Sequence, residues 1–193
     1  MMLPLLLASS SPYRRELLQR LQLPFTCASP NIDEQRLENE SPETLVRRLA
    51  MDKAKALAAR HPEHLIIGSD QVAVLDDQVL GKPHTAERAC EQLLAASGRS
   101  VTFLTGLALL NTRSGECQVD CVPFTVNFRA LDRARIERYI QAEQPLDCAG
   151  SFKAEGLGIS LFQSTSGNDA TSLIGLPLIR LVDMLLHEQV RIP

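Results

Sequence analysis

Apolar residues recur along the chain in two rhythms. Leu5–Ala8 closes an unbroken apolar run, the pattern of a strand buried on both faces. Ser11-Pro12 then predicts a helix start, Ser as N-cap and Pro at the first helical position, with Leu17, Leu18 and Leu21 on the inner face. Phe25–Ala28 reads as a short strand and Asn31–Asn39 as a polar, acidic connection. Ser41-Pro42 repeats the helix-start signal for a helix reaching about Arg60. Leu65–Ser69 and Val72–Leu75 read as two strands, and Asp76-Asp77 as the turn of a hairpin. Thr85 caps a helix that stops near Ser97-Gly98. Arg99–Leu110 and Val119–Phe128 alternate like paired antiparallel strands. Asp132 opens a helix to Glu143, Gly158–Phe162 reads as a late strand, and Pro177–Glu188 as the closing helix. Strands and helices interleaved in this order predict an α/β fold with a mixed sheet.

Composition narrows the class. With 193 residues, 45% of them hydrophobic, and no repeat, linker or low-complexity tract, residues 1–193 read as one domain. A formal charge of -3, from 20 basic and 23 acidic side chains, argues against a nucleic-acid binder, which needs a basic excess. The longest apolar run, Met1–Ala8, is broken by Pro4 and falls short of the ~18 residues of a membrane span. It also lacks the basic region of a secretion signal. Five scattered cysteines without a C-x-x-C pair suggest buried thiols in a reducing compartment rather than disulfides or zinc, so the cytoplasm is expected.

Candidate chemistry gathers where elements begin and end. In Ser9-Ser10-Ser11-Pro12-Tyr13-Arg14-Arg15, hydroxyls precede a helix start and two guanidiniums follow it, a combination suited to phosphate. An ordinary N-cap beside solvated arginines would read the same way. Lys53 falls in a stripe of Leu45, Leu49 and Leu57, where its stem could snorkel or its ammonium could enter a cleft. Asp70, in Gly68-Ser69-Asp70-Gln71, is expected where a buried strand leaves the core, placed to hold a divalent cation or accept a proton from water. Glu34, next to Asp33, offers a second carboxylate. Gly81-Lys82-Pro83 presents a lysine on a rigid turn, and the Gly-rich loop Cys148–Gly156 carries Lys153 and Glu155. No Ser-His-Asp or Cys-His arrangement assembles, which argues against covalent catalysis. Several cations and carboxylates around one cleft suit a polyphosphate better than a neutral metabolite.

These segments resemble one family. Ser9–Leu18 (S-x-S-P-x-R-R-x-L-L), Asp33-Glu34, Leu49–Ala54, Gly68–Val72, Gly81–Pro83, Ser97–Gly106, Ala149–Gly156 and Gly175–Leu178 look, in order and over nearly the whole chain, like the Maf-like nucleoside triphosphate pyrophosphatases. The resemblance implies a single α/β domain of two lobes, with a bent mixed β-sheet flanked by helices and a deep nucleotide cleft. It implies hydrolysis of a nucleoside triphosphate to the monophosphate and pyrophosphate with Mg²⁺, Mn²⁺ or Co²⁺, and a homodimer. Asp70 matches the proton acceptor. Ser9, Arg14, Arg15, Glu34, Lys53, Lys82 and Lys153 match polar residues around the phosphates and metal. The division of metal binding and water activation between Glu34 and Asp70 stays open.

Within the family, the branch acting on dTTP and UTP tends to carry Arg, Thr and Gln where this chain has Tyr13, Gln71 and Glu155. The chain resembles instead the 7-methyl-GTP branch, which serves to remove modified nucleotides from the pool. A methylated guanine is a cation with a flat face, so Tyr13 could stack on it and Glu155 could accept from its N1–H and amino edge. Gln71 could donate to a base oxygen or fill space. A dTTP/UTP pyrophosphatase, an enzyme for deaminated purines, and a nucleotide-binding regulator of septum formation are the competing readings.

Overall fold

The sheet is assembled around a strand that begins as an unbroken apolar run. The computed structural model describes residues 3–192, so Met1 and Met2 of the N-terminal apolar run, and Pro193, lie outside the described residues. The strands are β1 (Leu5–Ala8), β2 (Phe25–Ala28), β3 (Leu65–Leu75), β4 (Gln78–Leu80), β5 (Ser100–Asn111), β6 (Cys117–Phe128) and β7 (Phe162–Gly167). The helices are α1 (Pro12–Gln19), α2 (Pro42–Ala58), α3 (Ala86–Ala96), α4 (Arg133–Glu143), α5 (Ala170–Ile174) and α6 (Leu178–His187). The order across the sheet is β2-β1-β3-β5-β6-β7, with β4 hairpinned onto β3. β1 pairs in parallel with β2 and β3, and the remaining pairs are antiparallel.

Local chemistry sets the helix starts. Ser11, Ser41, Thr85 and Asp132 each accept from the backbone amide three residues on, as the cap signals predict. Asp76 and Asp77 both take positive φ, 46° and 65°, the geometry of a tight hairpin turn between β3 and β4. Pro123 is tolerated inside β6 because β7 covers that strand only from Phe124 onward.

Two expectations are corrected. The two strands expected at Leu65–Ser69 and Val72–Leu75 are one continuous strand, because β5 pairs with it from Leu65 through Val74 and the ladder needs only backbone groups from Asp70 and Gln71. The strand expected at Gly158–Phe162 is a 3₁₀ turn, Leu157–Leu161, followed by β7. Gly158 packs against the Lys153 carbonyl, where a Cβ would lie 2.1 Å from the oxygen. β7 itself, FQSTSG, is a polar edge strand with no alternation to read.

The core divides into two main clusters. One gathers Leu5, Leu7, Leu17, Leu65, Ile67, Leu107 and Leu181 between the β1 half of the sheet and α1 and α6. The other gathers Ala73, Leu93, Phe103, Phe124, Phe128, Ile136 and Phe152 between the β6 half and α3 and α4. β3 and β5 run through both. Helix α2 lies across β3 and β5, and two glycines set its distance. A Cβ on Gly68 would sit 2.0 Å from the Ala50 carbonyl oxygen, and one on Gly106 would sit 2.0 Å from that of Val46. No side chain larger than hydrogen fits while the helix stays where it is. No helix among the described residues is long and apolar enough to cross a membrane. All five cysteines are free, and burial holds fully only for Cys90; Cys27 is exposed.

Candidate active site

The close approach of α2 to the sheet brings a lysine onto a strand. Leu45, Leu49, Lys53 and Leu57 face the sheet at four-residue spacing, and Lys53 is only 6% exposed. Its Nζ lies 2.7 Å from Asp70 Oδ1 and 2.9 Å from Glu34 Oε1. The ammonium therefore enters the interior and is paired there, rather than snorkelling to solvent. Asp70 is 7% exposed and sits mid-strand, not at the strand end expected from the sequence. Glu34 reaches the same point from the connection between β2 and α2, with 58% of its side chain exposed.

A cleft of about 760 Å³ opens over this pair. At one side it is lined by Ser9, Ser10, Ser11 and Arg14 from the start of α1. Ser9 Oγ accepts from the Ser11 amide at 3.1 Å, and Arg14 Nε donates to the Gly175 carbonyl at 2.8 Å. Burial pulls the Arg14 guanidinium below its ordinary pKa, and the nearby Asp70 and Glu34 carboxylates oppose that shift. The Gly175 carbonyl also accepts from buried Ser69 at 3.0 Å, so the segment after α5 is fastened to both α1 and β3. Lys82 lines the cleft from the turn after β4.

Tyr13, Asp147, Cys148 and Glu155 also line the cleft and lie near one another. Burial first, then Cys148, Asp147 and Glu155, push the Tyr13 phenol up to about 12. The Cys148 thiol donates to Asp147 Oδ1 at 3.4 Å and is likewise raised to about 12, chiefly by burial. Both groups stay protonated at neutral pH. The loop carrying Glu155 is anchored by Phe152, which packs edge-to-face against Phe103, Phe128 and Phe162. Ser151 Oγ also bonds Gln92.

Ser9, Tyr13, Arg14, Glu34, Lys53, Asp70, Gln71, Lys82 and Glu155 thus meet in one cleft. Arg15 and Lys153 do not join them. Arg15, one residue and ~100° of helix beyond Arg14, lines a separate shallow recess with Gln19, Phe25 and Cys27. Lys153 Nζ turns to α4, donating to the Glu143 carbonyl at 3.0 Å. The pairing of Glu155 with Lys153 is therefore not made. Gln71 reaches the cleft, but its amide nitrogen faces Thr105 Oγ1 at 3.0 Å and the Ser172 and Leu173 carbonyls at 2.7 and 3.1 Å. The donor expected for a base oxygen is committed to α5.

Sequence reading missed Asp147, which follows no recognisable signal in P-L-D-C, and took Cys148 only as the first residue of the Gly-rich loop and one of five scattered thiols. It also missed the role of Gly175, whose carbonyl orients Arg14 and whose G-L-P-L segment was visible as a motif.

The donor set fits a small divalent cation. Two carboxylate oxygens, from Glu34 and Asp70, converge on one point, now met by the Lys53 ammonium, beside space for phosphate oxygens. Magnesium is commonly held by one or two carboxylates plus substrate phosphates and waters. Among the described residues no cluster of three or more His, Cys, Asp or Glu side chains forms a self-sufficient metal cage.

Comparison with known proteins identifies the family. The family described as "Maf-like protein" matches residues 4–188. A Pseudomonas putida protein named 7-methyl-GTP pyrophosphatase is 77% identical over 192 residues, covering all of both chains. Proteins of the same name from Pseudomonas aeruginosa and Alcanivorax borkumensis are 72% and 61% identical over 189 residues, 98% of this chain, with 96% of the Alcanivorax protein covered. In fold, the chain is similar to the Staphylococcus aureus Ham1 protein, with a TM-score of 0.54 at 13% identity over 97% of this chain and all of that one.

Proposed function

The chain belongs to the Maf-like family, and from that premise we propose that it hydrolyses 7-methyl-GTP to 7-methyl-GMP and pyrophosphate. The observation that carries the reading is the grouping of charge in the cleft: Arg14, Lys53, Asp70 and Glu34 lie together, Tyr13 lies with Asp147, Cys148 and Glu155, and Lys82 lines the same cleft. An anionic phosphate chain matches the first and a cationic methylated base the second. Relatives at 61–77% identity bearing that activity in their names support the same substrate.

In this reading the triphosphate lies over the start of α1, where amide groups and the Arg14 guanidinium meet its oxygens. The oxygen of a water molecule bonds to the α-phosphorus, the bond from that phosphorus to the bridging oxygen breaks, and pyrophosphate leaves with the electron pair. Asp70 takes the proton released by the water. Lys53, fixed at 2.7 Å from Asp70, orients that carboxylate and places its charge beside the reacting phosphate. Glu34 and Asp70 would hold a divalent cation, Mg²⁺, Mn²⁺ or Co²⁺, which when bound supplies charge neutralisation of the phosphates and a more acidic water. Tyr13 stacks on the base, an attraction on the order of 1–2 kcal/mol when desolvated. Glu155 accepts from the guanine N1–H and amino group. Arg15 and Lys153 carry no part in this pose.

The test is pyrophosphate release from a nucleotide panel of 7-methyl-GTP, GTP, dTTP, UTP and inosine triphosphate with Mg²⁺. Fastest turnover of 7-methyl-GTP is expected. A preference for dTTP or UTP would overturn the base assignment and keep the reaction, and idleness on every nucleotide would favour a regulatory binding protein.

A further inference from the structure

Glu34 poses a problem that the rest of the site does not. Lys53 and Asp70 are held by a helix and a strand, whereas Glu34 is largely exposed and lies in the irregular stretch between Ala28 and Pro42. The ties that order this stretch lead to two residues outside the cleft. Arg48, on α2, grips the buried Glu40 carboxylate with Nε to Oε1 at 2.6 Å and Nη2 to Oε2 at 2.9 Å. The same Nη2 donates to the Gln35 carbonyl, the residue after Glu34, at 3.0 Å. Glu40 Oε2 accepts from the Leu37 amide at 3.1 Å, and the Glu40 carbonyl accepts from Arg36 Nε at 2.8 Å. Arg48 Nη1 lies 3.4 Å from Asp52, which steadies it on the helix.

We infer that Glu40 and Arg48 are positioning residues, a clasp that fastens the Glu34 connection onto α2. Arg48 stands five residues before Lys53 on one helix, so a single rigid element fixes both the ammonium and the connection that delivers the carboxylate to it. A bidentate guanidinium–carboxylate pair constrains direction as well as distance, which one lysine could not do. The inference rests on the role given to Glu34 above.

A double-mutant cycle tests it. Arg48→Met is expected to lower kcat/KM by about 10- to 100-fold, the range for outer partners of site ligands, yet to add no further loss in a Glu34→Gln background. Because Arg48→Met strands the Glu40 carboxylate, the charge-balanced Glu40→Gln/Arg48→Gln variant is carried through the same cycle. Amide exchange is followed in parallel, and faster exchange over residues 33–40 with β3 unchanged is expected in both variants. Losses that multiply independently of Glu34, or unchanged exchange over 33–40, would overturn the clasp. Wild-type turnover in Glu34→Gln alone would remove Glu34 from the proposed chemistry and the clasp's purpose with it. Should the wild type hydrolyse no nucleotide, the proposed reaction fails and the exchange measurement alone decides the clasp.

Discussion

At the lysine–carboxylate end of the cleft, Lys53, Asp70 and Arg14 come from α2, β3 and α1, and Lys53 and Asp70 are each less than a tenth exposed. At the tyrosine end, Asp147, Cys148 and Glu155 come from the connection between α4 and β7, and Asp147 and Glu155 are exposed. The first end is paired before any ligand arrives. The second offers the exposed Glu155 carboxylate, and Asp147 with one oxygen taken by the Cys148 thiol, on a loop anchored in the core by Phe152. Groups that must meet developing charge benefit from rigid placement, while discrimination between bases can reside on a loop, here one anchored by Phe152 and the Ser151–Gln92 bond.

The largest expected effect falls at the rigid end. Asp70→Asn removes the proposed proton acceptor and is expected to cut kcat by about 10³-fold or more, with the melting temperature shifted by only a few degrees because the amide keeps the shape and Glu34 still meets Lys53. Steady-state pyrophosphate release and a thermal melt check both halves, and near-normal turnover would break the comparison.

Next comes the spacing of α2. Gly106→Ala forces the helix off the sheet and is expected to cost about 1–3 kcal/mol as an overpacked contact, with turnover falling as Lys53 leaves Asp70. Denaturant unfolding and kinetics on the same preparation measure this, and turnover kept while stability falls would show that the rigid end tolerates displacement.

The tyrosine end is expected to respond in selectivity rather than in rate. Tyr13→Arg, Gln71→Thr and Glu155→Gln together should move the ratio of kcat/KM for 7-methyl-GTP over dTTP toward pyrimidines by about 10- to 100-fold, the range of one lost charge-assisted contact plus stacking. A uniform loss on all nucleotides would instead place these residues with the rigid machinery. Gln71 acts there through α5, since its amide nitrogen is already occupied.

The smallest effects concern acid and Lys153. Arg48 first, then the Leu37 amide, holds the Glu40 carboxyl below its ordinary value of 4.5 against the cost of burial. The stability it contributes is present above that ordinary value and is lost as pH falls through the lowered one. Glu40→Gln should therefore flatten the decline in melting temperature below about pH 4.5. Lys153→Ala should leave kcat/KM within about twofold, as expected for a half-buried ammonium turned to Glu143 that does not line the cleft.

Much of this was legible in the chain because it is local. Each N-cap lies beside the helix it starts, and the Leu45–Leu49–Lys53–Leu57 stripe marks its own buried face. What escaped depends on partners far apart. Asp70 looked like the end of a strand because polarity was read as exit, whereas β5 supplies the ladder from thirty or more residues away. Arg15 and Lys153 share a motif with site residues, but helical rotation and the proximity of Glu143 direct them elsewhere. Glu40 follows the polar connection with no local mark of burial, and only the fold sets Arg48 against it.

The β3–β5 ladder bears on how the cleft can open. It is continuous from Leu65 to Val74, crosses the cleft floor at Asp70 and Gln71, and belongs to both core clusters. A hinge between the two halves would have to shear that ladder, giving up several backbone bonds at once. The floor therefore behaves as the fixed jaw of a vice. Against that fixed floor stand the Glu34 connection and the Asp147–Glu155 loop, cleft walls that lie outside the sheet and are held by side-chain fastenings, the Glu40–Arg48 pair for one and Phe152 for the other.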